Sequence, residues 1–361
     1  MAVTKVTPAG LSHTRPGKNL LYNSDFAVAQ RGTSFSGLGA TALYTLDGLV
    51  FNVIVGTETG RCTLSQDSTV PAGTGHKQSV KIDVTTADSS IAAGHGYYLE
   101  IRTEARDVKH LQYGAATAKS LCISFWVRSS TTGDYQFMLE APDGSRAYSL
   151  TYNIASADTW EQKKIVIAGD SGGTINNDSG QGLIYRWSLT LGSNFQGGTQ
   201  NAWAATANNM YAAGSTLNLF SSTDNDWYLA GVHVEEGDEI TDFPFEDYST
   251  TLAKCQRYAF ALVGTTNVSA MGTGVARSTT NISASIRFPV VMRSSPTASG
   301  TAGSLTIVDG DSTQTVTSFG ANASTYGDET SANVSSGLTQ GNGVILRNNV
   351  NGHIFLYSSE I

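Results

Sequence analysis

Carboxylates are concentrated in one short stretch of the chain, VEEGDEITDFPFED. Carboxylate oxygens suit a hard cation such as Ca²⁺, and a pair of carboxylic acids is what glycoside hydrolysis requires. The spacing matches no known calcium loop, and sequence spacing alone does not place two carboxyls on opposite sides of a sugar. We therefore interpret the stretch as a solvated, negatively charged rim and predict no metal and no cofactor. Its carboxylates are those of Glu235, Glu236, Asp238, Glu239, Asp242, Glu246 and Asp247.

Aromatic residues offer a second kind of chemistry, because the apolar faces of sugars stack on rings while polar side chains bind the hydroxyls. Four of the five tryptophans lie in strand-like runs, where core packing is favoured. The fifth lies in a long stretch rich in Gly, Asn and Ala, residues 192–214. Loops carry binding sites more often than strands do. The glycan-binding candidates are therefore Trp203 and Tyr211, with Asn194, Gln196 and Asn201 as polar partners, and a second cluster of His95, Tyr97 and Tyr98, for which core packing is an equal alternative.

GDSGG, residues 169–173, resembles the nucleophile loop of chymotrypsin-like serine proteases, with Ser171 as the nucleophile. That mechanism needs a His base oriented by a buried carboxylate. His95 lies upstream, as the order of that family requires, but the family's local sequence around the His is missing and no candidate Asp stands out. Gly, Asp and Ser are also the usual turn formers. We interpret GDSGG as the turn after the strand-like KKIVIAG and predict that the chain is not an enzyme.

These residues need elements to hold them, and the dominant pattern is alternation of apolar and polar residues. In LCISFWVR, residues 121, 123, 125 and 127 share an apolar face, and in YLAGVHVE the same holds for residues 228, 230, 232 and 234. Strands with one apolar face pack as antiparallel sheets with that face inward. Many such strands, separated by turns rich in Gly, Asn, Asp and Ser, predict an all-β sandwich or barrel.

Two segments break the alternation. IRTEARDVKHLQYG spaces Ile101, Ala105, Val108 and Leu111 as one helical stripe and predicts a short helix. The second segment, residues 249–257, begins at Ser249 or Thr250, both of which are good N-caps. There we expect Leu252 and Cys255 to face inward, and Cys255 to be a buried hydrophobe, not a reactive thiol. A short helix between two β regions is typical of a domain joint.

A second β region follows at Tyr258. SIRFPVVMRSSPT alternates over residues 286–292, and Pro289 within the run predicts an edge strand, because proline has no N–H to donate. GVILRNN and GHIFLYSSE flank Asn351-Gly352, which predicts a hairpin with a type I′ turn.

Composition and charge exclude several classes of function. The formal net charge is −8, and the chain has no cluster of Lys and Arg, so we expect neither nucleic-acid binding nor attraction to anionic lipid. No run reaches the length of a membrane span, and the first residues lack the apolar core of a signal peptide. The three cysteines, Cys62, Cys122 and Cys255, are too few and too widely spaced for a disulfide framework, so we expect reduced thiols.

Several stretches, in order, resemble surface proteins of tailed bacteriophages, above all tail fibres. NLLYNSDFAVAQRG resembles the opening strand of their jelly-roll module, with Ser24 where the family favours Gly. YTLDGLVF resembles the next strand, with Gly48 where Arg is common. SFWVRSSTTGDYQF, TWEQKKIVIAGD and WYLAGVHVEEGDEITDFPFEDYSTTLAKCQRY continue the pattern, and FPVVMRSSPT resembles the C-terminal sandwich domain. The resemblance covers most of residues 19–300, and it implies a jelly roll similar to carbohydrate-binding modules.

The residue patterns and the resemblance together give a domain plan, in which residues 1–18 are read as an arm because they hold two of the seven prolines and few apolar residues. We expect an extended anchoring arm at residues 1–18, a jelly-roll β-sandwich at 19–248, a linker helix at 249–257, and a smaller C-terminal β-sandwich at 258–361. It implies a virion protein, made in the host cytoplasm, that forms homotrimers and joins other virion proteins through the arm. The expected function is attachment to the host through non-covalent binding of a surface glycan. The alternatives are a structural virion protein, such as a head decoration or tail adaptor, and a glycan-cleaving depolymerase.

Overall fold

The computed structural model describes residues 18–54, 59–265 and 269–361. The predicted arm, apart from Lys18, lies outside these residues. The chain divides into two compact units, Met1–Tyr248 with Ile361, and Ser249–Glu360. Both are built from antiparallel strands, which confirms the all-β prediction. In the described ranges, no helix has the length and apolar character needed to cross a bilayer.

The first unit is a jelly-roll β-sandwich of two antiparallel sheets. A six-stranded sheet has the order β1-β4-β5-β13-β7-β10, and a seven-stranded sheet has the order β12-β9-β8-β11-β6-β3-β2. The strands are β1 (Ser34–Leu38), β2 (Leu43–Tyr44), β3 (Leu49–Ile54), β4 (Arg61–Asp67), β5 (Ser79–Thr86), β6 (Gly96–Glu104), β7 (Leu121–Ser129), β8 (Gly133–Ala141), β9 (Arg146–Ile154), β10 (Glu161–Ile167), β11 (Gln181–Leu191), β12 (Trp203–Ala205) and β13 (Asp226–Glu236).

The core of this unit fills the space between the two sheets. Phe125 of one sheet meets Trp187 of the other edge to face, with ring centroids 5.6 Å apart. Trp187 and Trp227 are both 0% exposed, as the strand-like runs around them predicted. Burying each large side chain contributes about 1.5–3 kcal/mol, so the inward positions of the alternating strands hold the sandwich together.

Strand β13 departs from simple alternation. A β-bulge between Ala230 and His233 inserts one extra residue opposite β7. Before the bulge, Trp227 and Leu229 belong to the core, and after it Val232 and its alternate neighbours do. The prediction that Tyr228 shares the apolar face was therefore wrong, because a bulge shifts the period of a strand by one residue.

The helical stripe predicted from Ile101 was wrong in its start. Ile101 lies on β6, and helix α1 comprises only Ala105–Val108, extended by a 3-10 helix over Lys109–Leu111. The spacing misled because a residue facing inward at the end of a strand continues the stripe of the helix that follows.

The opening stretch, residues 19–26, was also predicted as a strand and is irregular. It is held against β13 by isolated bonds. The N–H of Leu20 donates to the Val234 carbonyl at 2.8 Å, and the N–H of Val232 donates to the Ser24 carbonyl at 3.0 Å. Phe26 has a positive φ of 54°, which breaks the extended conformation there.

Helix α2 comprises Tyr248–Gln256, so it starts before the predicted N-caps Ser249 and Thr250, and all of it but Tyr248 belongs to the second unit. The second unit contains two more antiparallel sheets, with the orders β14-β23-β17 and β19-β18-β22-β15-β16-β21-β20. In α2 the side chains of Thr251 and Cys255 are buried, whereas Leu252 is only half-buried. The strands are β14 (Ala259–Val263), β15 (Ser269–Ala276), β16 (Asn281–Arg287), β17 (Thr297–Ser299), β18 (Leu305–Asp309), β19 (Ser312–Thr315), β20 (Ser318–Gly320), β21 (Gly327–Asn333), β22 (Gly343–Asn348) and β23 (Ile354–Ser358).

Two predictions for this unit were wrong. Strand β16 ends at Arg287, before Pro289, and it lies inside its sheet, between β15 and β21. The expected final hairpin does not form, because β22 and β23 belong to different sheets. Within the Asn351-Gly352 pair only Gly352 has a positive φ, whereas a type I′ turn needs both.

Candidate functional site

The stretch 192–214 forms a cover over the outer face of the seven-stranded sheet. Ser188 Oγ on β11 donates a hydrogen bond to the Tyr211 carbonyl at 2.5 Å. The N–H of Gly214 donates to Gln136 Oε1 on β8 at 2.9 Å. Polar groups buried under a loop need such partners. The polar side chains of this sheet therefore hold the cover in place.

Two of the predicted aromatic candidates, Tyr211 of the cover and Tyr98 of the sheet, meet where the cover rests on the sheet. The rings of Tyr98 and Tyr211 lie edge to face at 5.6 Å, and the Arg186 guanidinium lies 4.8 Å from the Tyr211 centroid. Tyr98 is 7% exposed. Gln196 Nε2 donates to the Leu191 carbonyl at 2.9 Å. These side chains are occupied by contacts within the unit, although Tyr211 and Gln196 stay half-buried at its surface.

Tyr97 is a correction to the predicted cluster. Its ring is 0% exposed and stacks on Phe220 at 4.1 Å, and its hydroxyl donates to the Gly60 carbonyl at 3.1 Å. Successive residues of a strand face opposite sides of the sheet, so Tyr97 and Tyr98 do not share a surface. His95, just before β6, is half-buried.

Trp203, the other predicted loop aromatic, lies on the short strand β12. Its indole N–H donates to the Ala168 carbonyl at 2.6 Å, and its ring packs edge to face on Tyr113 at 5.4 Å. Trp203 therefore closes the edge of the sandwich. Asn194 and Asn201 are exposed, and Asn201 lines a groove described below.

A buried ion network lies beside Tyr98 on the same sheet. Arg186 bridges Glu100 and Glu140, and Arg102 pairs with Glu100 at 2.5 Å. Burial alone raises the pKa of Glu100, but Arg186 and Arg102 outweigh it and hold that pKa below its usual value. Because both carboxylates are engaged by guanidinium groups, the pair is arranged for packing and not for acid–base chemistry.

The GDSGG turn has a structural explanation. Arg146 donates two hydrogen bonds to the buried Asp170 carboxylate, at 2.9 and 3.1 Å, and the N–H of Gly172 donates a third at 3.0 Å. Ser171 is exposed at the tip of the turn. The N–H of Gly114, beyond the helical end of β6, donates to the Asp170 carbonyl, whereas His95 precedes the other end of β6. The structure therefore does not bring His95 and Ser171 together.

Two carboxylates of the acidic stretch, Glu235 and Glu236 at the end of β13, have partners within the first unit. The buried Glu235 accepts hydrogen bonds from the N–H and the hydroxyl of Thr241. Glu236 lies 3.3 Å from Lys119 Nζ. Among the residues that the structure describes, no three His, Cys, Asp or Glu side chains are grouped to hold a metal ion.

The outer face of the six-stranded sheet carries aromatic residues that the sequence did not single out. Trp126 and Trp160 are half-buried there. Tyr228 packs edge to face on Trp160 at 6.0 Å, and the Arg128 guanidinium lies 4.8 Å from the Tyr228 centroid. Burial raises the pKa of the Tyr228 phenol, with Asp226 adding to the shift. This face combines rings with cationic and amide side chains.

A pocket of about 220 Å³ opens on this face next to Trp126. Trp126 and Phe243 supply its aromatic surfaces, and Gln162 and Lys164 of β10 supply polar groups at its rim. The remaining lining comes from Thr74, His76, Ser124, Gly231, Ile240, Thr241 and Asp242. The pocket thus has the mixture of rings and hydrogen-bonding groups that is typical of small-ligand sites.

The far wall of the pocket is a packed aromatic cluster. His76 is 4% exposed, and its Nδ1 lies 2.5 Å from Asp25 Oδ1. The His76 ring meets Phe243 edge to face at 4.8 Å and Phe245 at 5.2 Å. A Cβ on Gly231 would lie 2.3 Å from His76 Nε2, so only glycine allows this approach. The Asp25–His76 pair therefore fixes the wall against which Phe243 rests.

A groove of about 530 Å³ adjoins the pocket and lies between β9 of one sheet and β10 of the other. The groove runs along β9 and β10, and its lining includes Tyr148, Thr151, Lys163 and Asn201. Gln162 and Lys164 line both the pocket and the groove. The two cavities therefore lie next to each other at the edge strand β10.

Period-2 alternation already contained a signal for this site. In LCISFWVR, Trp126 is out of phase with Phe125 and Val127, so alternation places its ring on the outer face. The contribution of Phe243 carried no such signal, because it depends on how the acidic stretch folds back over β13.

Comparison with known proteins gives only distant likenesses. No family model and no curated protein matches the chain. Among solved structures it is similar to a putative sugar binding protein from Bacteroides thetaiotaomicron, with 9% identity, 61% of this chain and 100% of that chain covered, and a TM-score of 0.34. It is also similar to a xylan-binding domain from Paenibacillus barcinonensis, with 13% identity, 63% of this chain and 99% of that chain covered, and a TM-score of 0.28.

A tailspike protein of bacteriophage CBA120 gives 12% identity over 53% of this chain, with a TM-score of 0.30. The match spans only 20% of that tailspike chain. Likenesses at this level of identity and TM-score say nothing about what the chain binds, so its function has to follow from the side chains of the site.

Proposed function

We propose that the first unit binds a glycan non-covalently at the Trp126 pocket and along the groove beside β10. One observation carries the proposal: the half-buried rings of Trp126 and Phe243 line a pocket that has Gln162 and Lys164 at its rim. A sugar ring presents an apolar face that stacks on indole and hydroxyls that need hydrogen-bond partners. The pocket, at about 220 Å³, has room for one sugar ring, and the groove, at about 530 Å³, has room for the next sugars of the oligosaccharide.

We further propose that this binding serves attachment of a tailed phage to its host. The proposal is supported by the ordered resemblance of residues 19–300 to phage surface proteins. In this account the protein is a non-enzymatic fibre or spike of the virion, assembled as a homotrimer and joined to other virion proteins through residues 1–18. Several weak sites on one particle would then act together, because linked sites raise the effective affinity.

The pocket is tested with an array of bacterial surface oligosaccharides and the full chain. Trp126→Ala should weaken binding at least about tenfold, as expected for removal of a central aromatic contact. Trp160→Ala is the matched control, because Trp160 lies on the same face but does not line the pocket. Lys164→Gln should weaken binding less, and Lys119→Gln should not change it.

Equal loss in the Trp126 and Trp160 variants would contradict the pocket as the site. A wild-type chain that binds no glycan on the array, but is present on particles, would favour the structural virion protein instead. Release of shorter sugars from a bound oligosaccharide would establish the depolymerase.

A further inference from the structure

The second unit has a groove of its own, which the function above does not use. The groove has a volume of about 610 Å³ and lies on the outer face of the seven-stranded sheet, over β15, β16 and β21. A turn over residues 322–328 forms one side. The lining is Thr273, Gly274, Val275, Ser283, Ser285, Ile286, Arg287, Asn322, Ser324, Tyr326, Gly327, Asp328 and Glu329.

Tyr326 projects from this turn with 70% of its surface exposed. Its backbone is nevertheless fixed: its N–H donates to Ser324 Oγ at 3.3 Å, and its carbonyl accepts from the Phe288 N–H at 3.2 Å. The turn is anchored by Asp328, a 4% exposed carboxylate that accepts from the Asn322 N–H at 2.7 Å. Because the backbone of this turn is already held by hydrogen bonds, a ligand that stacks on the Tyr326 ring does not have to order the turn.

The floor of the groove is polar and its hydroxyls lie in register. Thr273 pairs with Ser285 across β15 and β16, and Ser285 pairs with Glu329 across β16 and β21. Ser283 Oγ donates to Glu329 Oε1 at 2.7 Å, and Arg277 forms an ion pair with the same oxygen. The negative charge of Glu329 is therefore balanced within the sheet.

Arg287 is the remaining charge of the lining. It stands at the end of β16, in register with Gly327, one residue from Tyr326. Its side chain is exposed, and within the described residues it forms no ion pair or hydrogen bond. A guanidinium group is the side chain best suited to bind a carboxylate through two parallel hydrogen bonds.

We propose that this groove is a second saccharide site, and that it takes an oligosaccharide with an acidic sugar. A sugar ring stacks on Tyr326, its acidic group binds Arg287, and its hydroxyls meet Thr273 and Ser285. Stacking by a sugar explains why the Tyr326 side chain is exposed above a polar surface. The uncompensated guanidinium explains the preference for an anionic sugar. This site does not depend on the Trp126 pocket, because each unit holds its own groove.

The test uses the full chain with Trp126→Ala as the background, on an array that pairs uronic- and sialic-acid oligosaccharides with their neutral methyl esters. In that background Tyr326→Ala should weaken the remaining binding to acidic glycans at least about tenfold. Arg287→Gln should weaken binding to the acids and leave the esters unchanged. Val350→Ala is the control for loss of exposed apolar surface, and Arg347→Gln is the control for loss of an arginine; neither residue lines the groove.

The outcomes separate the two sites. If Trp126→Ala alone removes all glycan binding, the second site is overturned and the first is kept. The same holds if Tyr326→Ala, added to Trp126→Ala, leaves the remaining binding unchanged. Binding that needs Tyr326 but is equal for acids and esters would overturn the acidic assignment. A change of oligomeric state in Tyr326→Ala, without a change in glycan binding, would show that the ring serves contact between copies of the chain.

Discussion

At the scale of residues, the Trp126 pocket depends on one glycine. Gly231 has a φ of 54°, and a Cβ there would collide with the His76 ring at 2.3 Å. We expect Gly231→Ala to lower the free energy of unfolding by about 2–4 kcal/mol, from both the strained φ and the collision. All five tryptophans lie in the first unit, so tryptophan fluorescence follows its unfolding.

Gly237→Ala is the control for this substitution. Gly237 also has a positive φ, 128°, but a Cβ there meets nothing within 4 Å. Its loss of stability should be about 1 kcal/mol. Equal losses at the two glycines would show that the collision with His76 is relieved without cost.

The GDSGG turn separates a structural residue from a solvent-exposed one. Asp170→Ala removes the partner of Arg146 and three hydrogen bonds, so it should lower the free energy of unfolding by about 3–5 kcal/mol. Ser171→Ala should change it by no more than about 0.5 kcal/mol. Denaturant unfolding followed by tryptophan fluorescence measures both. Loss of a hydrolytic activity in Ser171→Ala would contradict the assignment of this turn.

At the scale of elements, the network joining β6, β8 and β11 makes stability depend on pH. Since the pKa of Glu100 is held below its ordinary 4.5, folding favours its ionised form. The stabilisation is present above about pH 4.5 and is lost as the pH falls through the lower pKa of the folded state. Wild type should therefore lose more stability between pH 7 and 3 than Glu100→Gln, which should start about 3 kcal/mol less stable. Equal slopes against pH would contradict this.

Helix α2 gives a prediction for the second unit. Cys255 is 0% exposed, so Cys255→Ser should lower the free energy of unfolding of this unit by about 1–3 kcal/mol, because it buries a hydroxyl. The native thiol should resist alkylation until the chain is unfolded, as measured by mass spectrometry of the labelled peptides. Rapid labelling of Cys255 in the native chain would contradict the buried position.

Part of the strand arrangement could be predicted from the sequence. Alternation correctly predicted the inward face of β7, because this strand keeps one period along its length. It failed at β13, where the bulge changes the period, and at β22 and β23, where a turn that looks like a hairpin sends its strands into different sheets. The choice between sheets depends on distant partners, and a local pattern does not contain them. The prediction favoured the loop aromatics Trp203 and Tyr211 because loops carry binding sites more often than strands do, although alternation places the Trp126 ring on the outer face.

At the scale of the whole molecule, each unit has its own hydrophobic core and its own cavity on the outer face of a sheet, the Trp126 pocket in the first unit and the Tyr326 groove in the second. The low share of charged residues, 14%, leaves a surface rich in hydroxyl and amide groups, which suits recognition of sugars better than recognition of polyanions. Two independent sites per chain, multiplied by the proposed trimer, would give strong attachment from weak contacts.

Glycan binding at Trp126 is tested most directly by a crystal structure of the full chain with an oligosaccharide selected on the array. A sugar ring should stack on Trp126, with Lys164 or Gln162 bound to its hydroxyls and the next sugar in the groove beside β10. A sugar bound on the opposite sheet, at Tyr211 and the cover formed by residues 192–214, with the Trp126 pocket empty, would contradict it.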